Sequence, residues 1–209
     1  MNIGIIGAGQ VAQAFAHRAI EAEHNVVFSN RRGPDSLAAL VEGFGPLASS
    51  ATPSEAVENP VVLLAVPWPK IDTALRSLPT WYGQILIDAT NGFEENGLVD
   101  FGDGSSSETV AALAPGARVV KAMNSLFMTN FVLDPVPDGF RRAVFVSGDD
   151  RAAKTEVADL FESFGFAPID LGTLRKGGRM QAVGSTLAGH DFFLPWPAPR
   201  SFPAFNGER

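Results

Sequence analysis

Two glycines two residues apart, Gly7 and Gly9, carry the first readable chemistry in the chain. They belong to Gly7-Ala8-Gly9-Gln10-Val11-Ala12, a G-x-G-x-x-A element between a β-branched run at 2–6 and an amphipathic stretch at 10–23. In such an element the first glycine makes a tight turn and the second lets backbone approach a pyrophosphate. The small third position, here Ala12, lets helix and strand pack closely. The helix start then offers free N–H groups and partial positive charge to phosphate oxygens. A tight turn with no ligand is the plainer alternative.

The next strand, at 25–29, bears on which dinucleotide such a turn would take. A site for a free ribose 2′-hydroxyl usually ends this strand with a carboxylate, about 20 residues past the glycines. Here it ends Ser29-Asn30-Arg31-Arg32, with no carboxylate. Asn30 can donate to a 2′-phosphate, and Arg31 can grip it in bidentate fashion and stack on adenine, with Arg32 beside it. These residues favour NADP(H) over NAD(H), against the alternative of two arginines solvating a surface loop.

Further along, Lys121-Ala122-Met123-Asn124 follows an apolar run. Lys121 reads as a contact on the nicotinamide side of the cleft or as a lysine ending a strand at the surface. Asn124 reads as a site residue or as a helix N-cap. Asn91 lies where a strand-end residue reaches a cofactor, although Asn91-Gly92 is also a plain turn signal. Phe127, Met128 and Phe131 are an apolar wall for a flat ring, or core. Tyr82, the only tyrosine, forms no Tyr-x-x-x-Lys pair, and His190 beside Asp191 fits a turn better than a catalytic role. No catalytic acid or base is assigned. Carbonyl reduction needs a positioned proton donor, whereas hydride exchange between two redox carriers needs mainly alignment and exclusion of water.

Several segments together resemble the family of coenzyme F-420-dependent NADP oxidoreductases. They are Ile3-Gly4-Ile5-Ile6-Gly7-Ala8-Gly9, Ser29-Asn30-Arg31-Arg32, Ala65-Val66-Pro67-Trp68, Asp88-Ala89-Thr90-Asn91, Val119-Val120-Lys121-Ala122-Met123-Asn124 and Phe145-Val146-Ser147-Gly148-Asp149-Asp150. The resemblance runs to about residue 190. It implies that Ala8, Gly9, Gln10 and Val11 hold the pyrophosphate and that Asn30 and Arg31 hold the 2′-phosphate. It also implies that Ala65, Val66 and Pro67 flank the nicotinamide ribose, and that the deazaflavin coenzyme F-420 is the co-substrate. Asp35 departs from relatives with a lysine there, which lowers the expected grip on NADP. No deazaflavin-contacting motif is matched.

The elements that must position these residues alternate. Strand-like runs at 2–6, 25–29, 60–66, 84–88, 118–121, 143–147 and 167–171 are interleaved with helical stretches at 10–23, 34–41, 70–78, 107–113 and 151–164. This predicts an α/β, Rossmann-type doubly wound fold: a mainly parallel sheet with helices on both faces. Residues 92–107 read as a long exposed loop, and 175–190 give no clear pattern. A single NADP-binding domain over 1–190 with a C-terminal elaboration is expected, followed by a Pro- and aromatic-rich tail at 191–209.

Composition narrows the classes further. With 209 residues, 45% hydrophobic and 19% charged, the chain can bury a sizeable core. A net charge of −7 argues against nucleic-acid or anionic-membrane partners, which want a basic surface. Cysteine is absent, which removes thiolate nucleophiles and zinc–thiolate sites, and three scattered histidines make no metal site. No signal peptide or membrane span is read, so a cytoplasmic protein is expected. Residues 177–189 and the apolar tail offer a surface that a second copy of the chain could cover.

The expected activity is hydride transfer between NADP(H) and a small, planar redox co-substrate. Reduction of an imine or carbonyl by NADPH is the alternative within enzymes. A non-catalytic NADP-binding sensor or scaffold is the alternative outside them.

Overall fold

The computed structural model describes residues 1–197. It begins with β1 (Asn2–Ile6), α1 (Gln10–Glu21) and β2 (Asn25–Ser29), each close to its predicted span. A 3-10 turn at Pro34–Leu37 leads into α2 (Ala38–Phe44), where one helix was expected. Pro34 near the start of that turn forgoes an N–H that has no partner there. Then come β3 (Ala48–Ser50), α3 (Pro53–Ala56), β4 (Val61–Leu64), a 3-10 turn at Trp68–Lys70, α4 (Ile71–Arg76) and β5 (Ile85–Asp88).

The expected loop at 92–107 is instead partly ordered. It holds a small antiparallel hairpin, β6 (Phe93–Glu94) with β7 (Gly97–Leu98). It ends in the capping box of α5 (Ser106–Leu113), where Ser105 and Glu108 satisfy each other's backbone N–H groups. Next are β8 (Arg118–Ala122), α6 (Met128–Phe131), β9 (Arg141–Gly148), α7 (Arg151–Ser163), β10 (Ala167–Asp170) and α8 (Leu174–Met180). The last described strand is β11 (Phe193–Leu194), which pairs antiparallel with Arg141 and Arg142 of β9. The segment expected as a tail from 191 therefore starts as part of the sheet, and 198–209 lie outside the described residues.

The main sheet runs β10-β9-β8-β5-β4-β1-β2-β3. Its pairs are parallel except β8 with β9 and the added β11. Strand alternation sorts the side chains into two cores. Ile3, Ile5, Leu63, Ile85, Ile87 and Val120 face α1 and α7, while Val62, Leu64, Leu86 and Val119 face α4, α5 and α8. The strands are thus apolar on both faces, as a sheet covered by helices requires. Phe15 of α1 is fully buried and meets Phe161 and Phe164 edge-on at 6.2 and 5.5 Å. Burying one such ring contributes about 1.5–3 kcal/mol. From β1 the chain steps outward to β2 and β3, then crosses to β4 on the other side. The crevice at this reversal, at the strand C-termini, is where open α/β sheets receive ligands.

Candidate functional site

At the reversal the glycine turn is held from two sides. Gly7 donates its N–H to Ser29 O (2.9 Å), and Gln13 Nε2 donates to Ala8 O (2.9 Å). Gly7 has φ +115°, and a Cβ there would run into the Ala65 carbonyl. Glycine at 7 is therefore demanded by the fold itself. Gly9 differs: it is exposed, its φ of −80° suits any residue, and a Cβ on it would meet no atom within 4 Å. That open space caps the 12-residue α1, whose N-cap Gly9 supplies no side-chain bond. Free N–H groups at Gln10 and Val11 thus face a cradle that fits a pyrophosphate.

Asn30, Arg31 and Arg32 lie one strand over. Asn30 Oδ1 accepts from Arg32 N (2.7 Å) and its Nδ2 donates to Ser36 Oγ (3.0 Å), which folds the 30–36 turn on itself. Asn30 is thus partly committed to shaping the turn, with one amide hydrogen left. Both arginine side chains are exposed, and among the described residues neither makes an ion pair. Asp35 is exposed on the same turn. Ala65, Val66 and Pro67 follow β4 directly, with Ala65 N donating to Ile6 O (2.9 Å), so they flank the glycine turn.

Beyond the turn a cavity of about 540 Å³ opens between α1 and the ends of β5 and β8. Gln10 and Val11 form one side, Asn91 and Asn124 another, and Phe127 and Met128 a third, with the 183–189 segment closing it. Among the described residues no ionisable side chain lines it. Two of the three residues of the expected apolar wall, Phe127 and Met128, are there, whereas Phe131 is fully buried in the core. Met123, at φ +62°, turns the chain out of β8 into this lining, and backbone in that region is commonly held so at ligand sites.

Asn124 is no helix N-cap, since the nearest helix begins at Met128. Its Nδ2 donates to Gln181 O (2.8 Å) and to Asn91 Oδ1 (3.1 Å), while Asn91 Nδ2 donates back to Asn124 O (2.9 Å). Asn91 and Asn124 are thereby locked together across the ends of β5 and β8.

Lys121 is a correction. It was expected at the cleft or on the surface, yet it is fully buried, with Nζ donating to Asp88 Oδ2 (3.2 Å), Thr90 O (3.0 Å) and Ser106 Oγ (3.1 Å). All three ammonium hydrogens are used, so none is left for a substrate. Asp88 also accepts from Thr90 and Ser107. The partnership was accessible in principle, because Asp88 and Lys121 are register neighbours on adjacent parallel strands. His190 is exposed against the Phe192 ring, outside the cavity lining, and Tyr82 is 86% exposed.

The C-terminal part of the lining went unread in the sequence. Segment 181–191 is fastened by Asn124 to Gln181 O, by Gly189 N to Ser125 O (2.7 Å), and by the Arg142–Asp191 pair (2.9 Å). Its one signal was the recurrence of glycine at 177, 178, 184 and 189. No group of three or more metal-ligating side chains occurs among the described residues, and no described helix is long and apolar enough to cross a membrane.

A glycine turn on α1, arginines after β2 and an apolar cavity at the topological switch define the class of Rossmann-type dinucleotide oxidoreductases. Comparison with known proteins narrows this. Residues 2–92 match the family model described as NADP oxidoreductase, coenzyme F420-dependent. A hypothetical protein from Sinorhizobium meliloti, SMa0349, superposes with a TM-score of 0.86 at 36% identity, covering 92% of this chain and 95% of that one. A putative F420-dependent NADP-reductase from Arthrobacter sp. FB24 superposes with a TM-score of 0.66 at 27% identity, covering 82% and 85%. Among curated proteins, rat metalloreductase STEAP3 is 31% identical over 183 residues, 87% of this chain. The chain spans little more than a third of the length of such metalloreductases, 36% for rat STEAP3 and 38% for human STEAP2. The fold is that of Rossmann-type NADP oxidoreductases, and the match to the F420-dependent family covers residues 2–92, a little under half of the chain.

Proposed function

We propose that the chain binds NADP(H) along the ends of β1, β2 and β4 and exchanges hydride with a flat redox carrier seated in the 540 Å³ cavity. Coenzyme F-420, the carrier in the family's description, is the first candidate, and a flavin is the second. One observation carries the reading: among the described residues, the cavity that starts at Gln10 and Val11 is lined by no ionisable side chain. Reduction of a carbonyl or imine would want a positioned acid there. When bound, the nicotinamide supplies a hydride at its C4. The chain's residues do the rest. The N–H groups at Gln10 and Val11 hold the pyrophosphate, and Arg31 and Arg32 hold the 2′-phosphate. Phe127 and Met128 flatten the second ring against the first, and segment 183–189 excludes water. The balancing proton for the reduced carrier comes from solvent at the cavity mouth.

The test is NADPH deuterated at the transferred C4 position, offered with a deazaflavin, with a flavin and with imine and carbonyl substrates. Label appearing in the reduced deazaflavin or flavin supports the proposal. Turnover confined to imines or carbonyls sinks it, and NADPH binding without turnover of any acceptor returns a sensor.

A further inference from the structure

Large apolar side chains left on the surface are gathered on one part of the molecule. Of twelve such side chains among the described residues, ten fall in 93–98, 127–140 and 180–193, each between 37% and 62% exposed. Packing and hydrogen bonds join these stretches into a belt along the segment that closes the cavity. A Cβ on Gly184 would stand 3.1 Å from Leu98, and one on Gly189 would stand 3.4 Å from the Phe127 ring. Arg142 pairs with Asp191, donates to the carbonyls of Leu133 and Asp134, and lies 5.0 Å from the centre of the Phe193 ring. Ala143 N donates to Phe192 O (2.8 Å), and Arg141, next to Phe140, pairs with Leu194.

At about 150–200 Å² for a whole side chain of this kind, the belt leaves roughly 700–1,000 Å² of apolar surface exposed. The largest patch on an ordinary monomer is about 300–600 Å², whereas a standard interface takes about 800 Å² from each partner. Charge then chooses among occupants. Residues 127–140 and 183–197 contain no lysine or arginine, so an anionic membrane surface or an acidic peptide finds no cation there. Residues 183–197 hold one carboxylate, Asp191, already paired with Arg142. A two-fold contact sets a patch against its own copy and must be self-complementary. An apolar surface with its charge neutralised meets that condition, on a chain whose net charge of −7 makes copies repel elsewhere. Exposed carboxylates at Asp134 and Asp138 add to that repulsion, so the contact should tighten as salt is raised.

We infer that the chain pairs with a second copy of itself through this belt, and that the second copy completes the cavity. Phe93 and Phe127 line the cavity and are 49% and 62% exposed. A body seated on the belt therefore covers the cavity rim and shields the second ring from water. The pairing stands on the belt alone; its bearing on hydride transfer rests on the reading of the cavity as the carrier site.

Interfaces of this area hold at micromolar concentration or tighter, so sedimentation velocity at about 50 μM should find wild type as a dimer. Leu133 and Phe140 are exposed and lie outside the cavity lining. Leu133→Glu and Phe140→Glu should keep wild-type circular dichroism and raise the dimer Kd at least about 10²-fold. Hydrogen exchange reads the cover without turnover: amides at 93–98 and 183–189 should exchange at least about tenfold faster in the monomeric variants. The Kd for 2′-phospho-ADP-ribose, the nucleotide without its nicotinamide ring, should not change. A wild-type monomer, a dimer that both variants keep, or one that weakens as salt rises overturns the inference. Monomeric variants that exchange at the wild-type rate overturn the claim that the second copy covers the cavity. If the variants fail to fold, wild type decides alone, since its exchange at 93–98 and 183–189 should rise on dilution below the dimer Kd. A dimer with these properties that passes hydride to no deazaflavin or flavin removes the carrier reading and leaves the pairing intact.

Discussion

Gly7 and Gly9 sit two residues apart and answer to different forces, which separates fold from ligand at single-residue scale. A side chain at 7 meets the Ala65 carbonyl and forces a left-handed φ on a non-glycine residue. Gly7→Ala should therefore lower Tm. At 9 the protein leaves open space, so Gly9→Val should keep wild-type circular dichroism and Tm while abolishing NADPH binding. Retained NADPH affinity in a folded Gly9→Val protein would place the phosphates elsewhere. Arg31 permits a similar separation. Exposed and, among the described residues, without an ion-pair partner, it contributes little to the fold. Arg31→Ala should cost about 1.5–3 kcal/mol of NADPH binding, the range for hydrogen bonds to charged groups, and barely touch NADH. Equal losses for the two nucleotides by calorimetry would remove Arg31 from the 2′-phosphate site.

At the scale of elements, β5 and β8 are pinned at their C-terminal ends by the buried Lys121–Asp88 pair, and the pin sets the spacing of Asn91 and Asn124. Lys121→Met would leave Asp88 buried and uncompensated, at a cost of about 3–5 kcal/mol read from denaturant unfolding. Variant that remains folded should keep kcat within about 10²-fold of wild type, and a loss beyond about 10³-fold with normal NADPH binding would make Lys121 the proton donor after all. His24, in the turn from α1 to β2, gives a pH dependence of known sign. Partial burial, helped by the N-terminal ammonium 3.1 Å away, holds its pKa below the usual value of about 6.5. The unfolded chain takes up that proton more readily, so this share of stability is full above about pH 6.5 and is lost as pH falls below it. A Tm that declines from pH 7 to 5 as steeply in His24→Gln as in wild type would contradict this. Elements were legible wherever strand and helix periodicity was strong, hence the near agreement of β1, α1 and β2. Lys121 was misread because sequence order hides its partner: Asp88 lies 33 residues earlier and meets it only through strand register. The closing segment at 181–191 was unreadable for a related reason, since it is held by Asn124, Ser125 and Arg142, residues distant in sequence that leave no periodic pattern.

Over the whole molecule, the nucleotide half and the cavity half are joined through two arginines. Arg18 of α1 donates to the carbonyls of Val132 (3.0 Å) and Leu133 (2.5 Å), tying the cofactor helix to the chain just past α6. Arg142 of β9, 4% exposed, donates to Leu133 O (3.2 Å), Asp134 O (2.8 Å) and Asp191 Oδ1 (2.9 Å). The segment that closes the cavity is thus anchored at its far end by one buried guanidinium, which also grips the stretch that Arg18 holds. Neither arginine lines the cavity, so any influence on turnover must travel through the position of segment 181–191. Arg142→Met keeps much of the buried stem and removes the donors. It should raise amide exchange across 183–191 by the equivalent of about 1.5–3 kcal/mol, lower kcat or raise KM for the carrier, and leave 2′-phospho-ADP-ribose affinity intact. Rate is the sensitive readout, because a displacement of about 1 Å in a reacting pair can cost roughly 10²-fold. The nucleotide fragment is the control, since its cradle on β1, α1 and β2 makes no bond to Arg142. If fragment affinity falls in step with kcat, the substitution has loosened the whole sheet. If exchange at 183–191 stays at the wild-type rate while kcat drops, the closing segment is not what Arg142 positions.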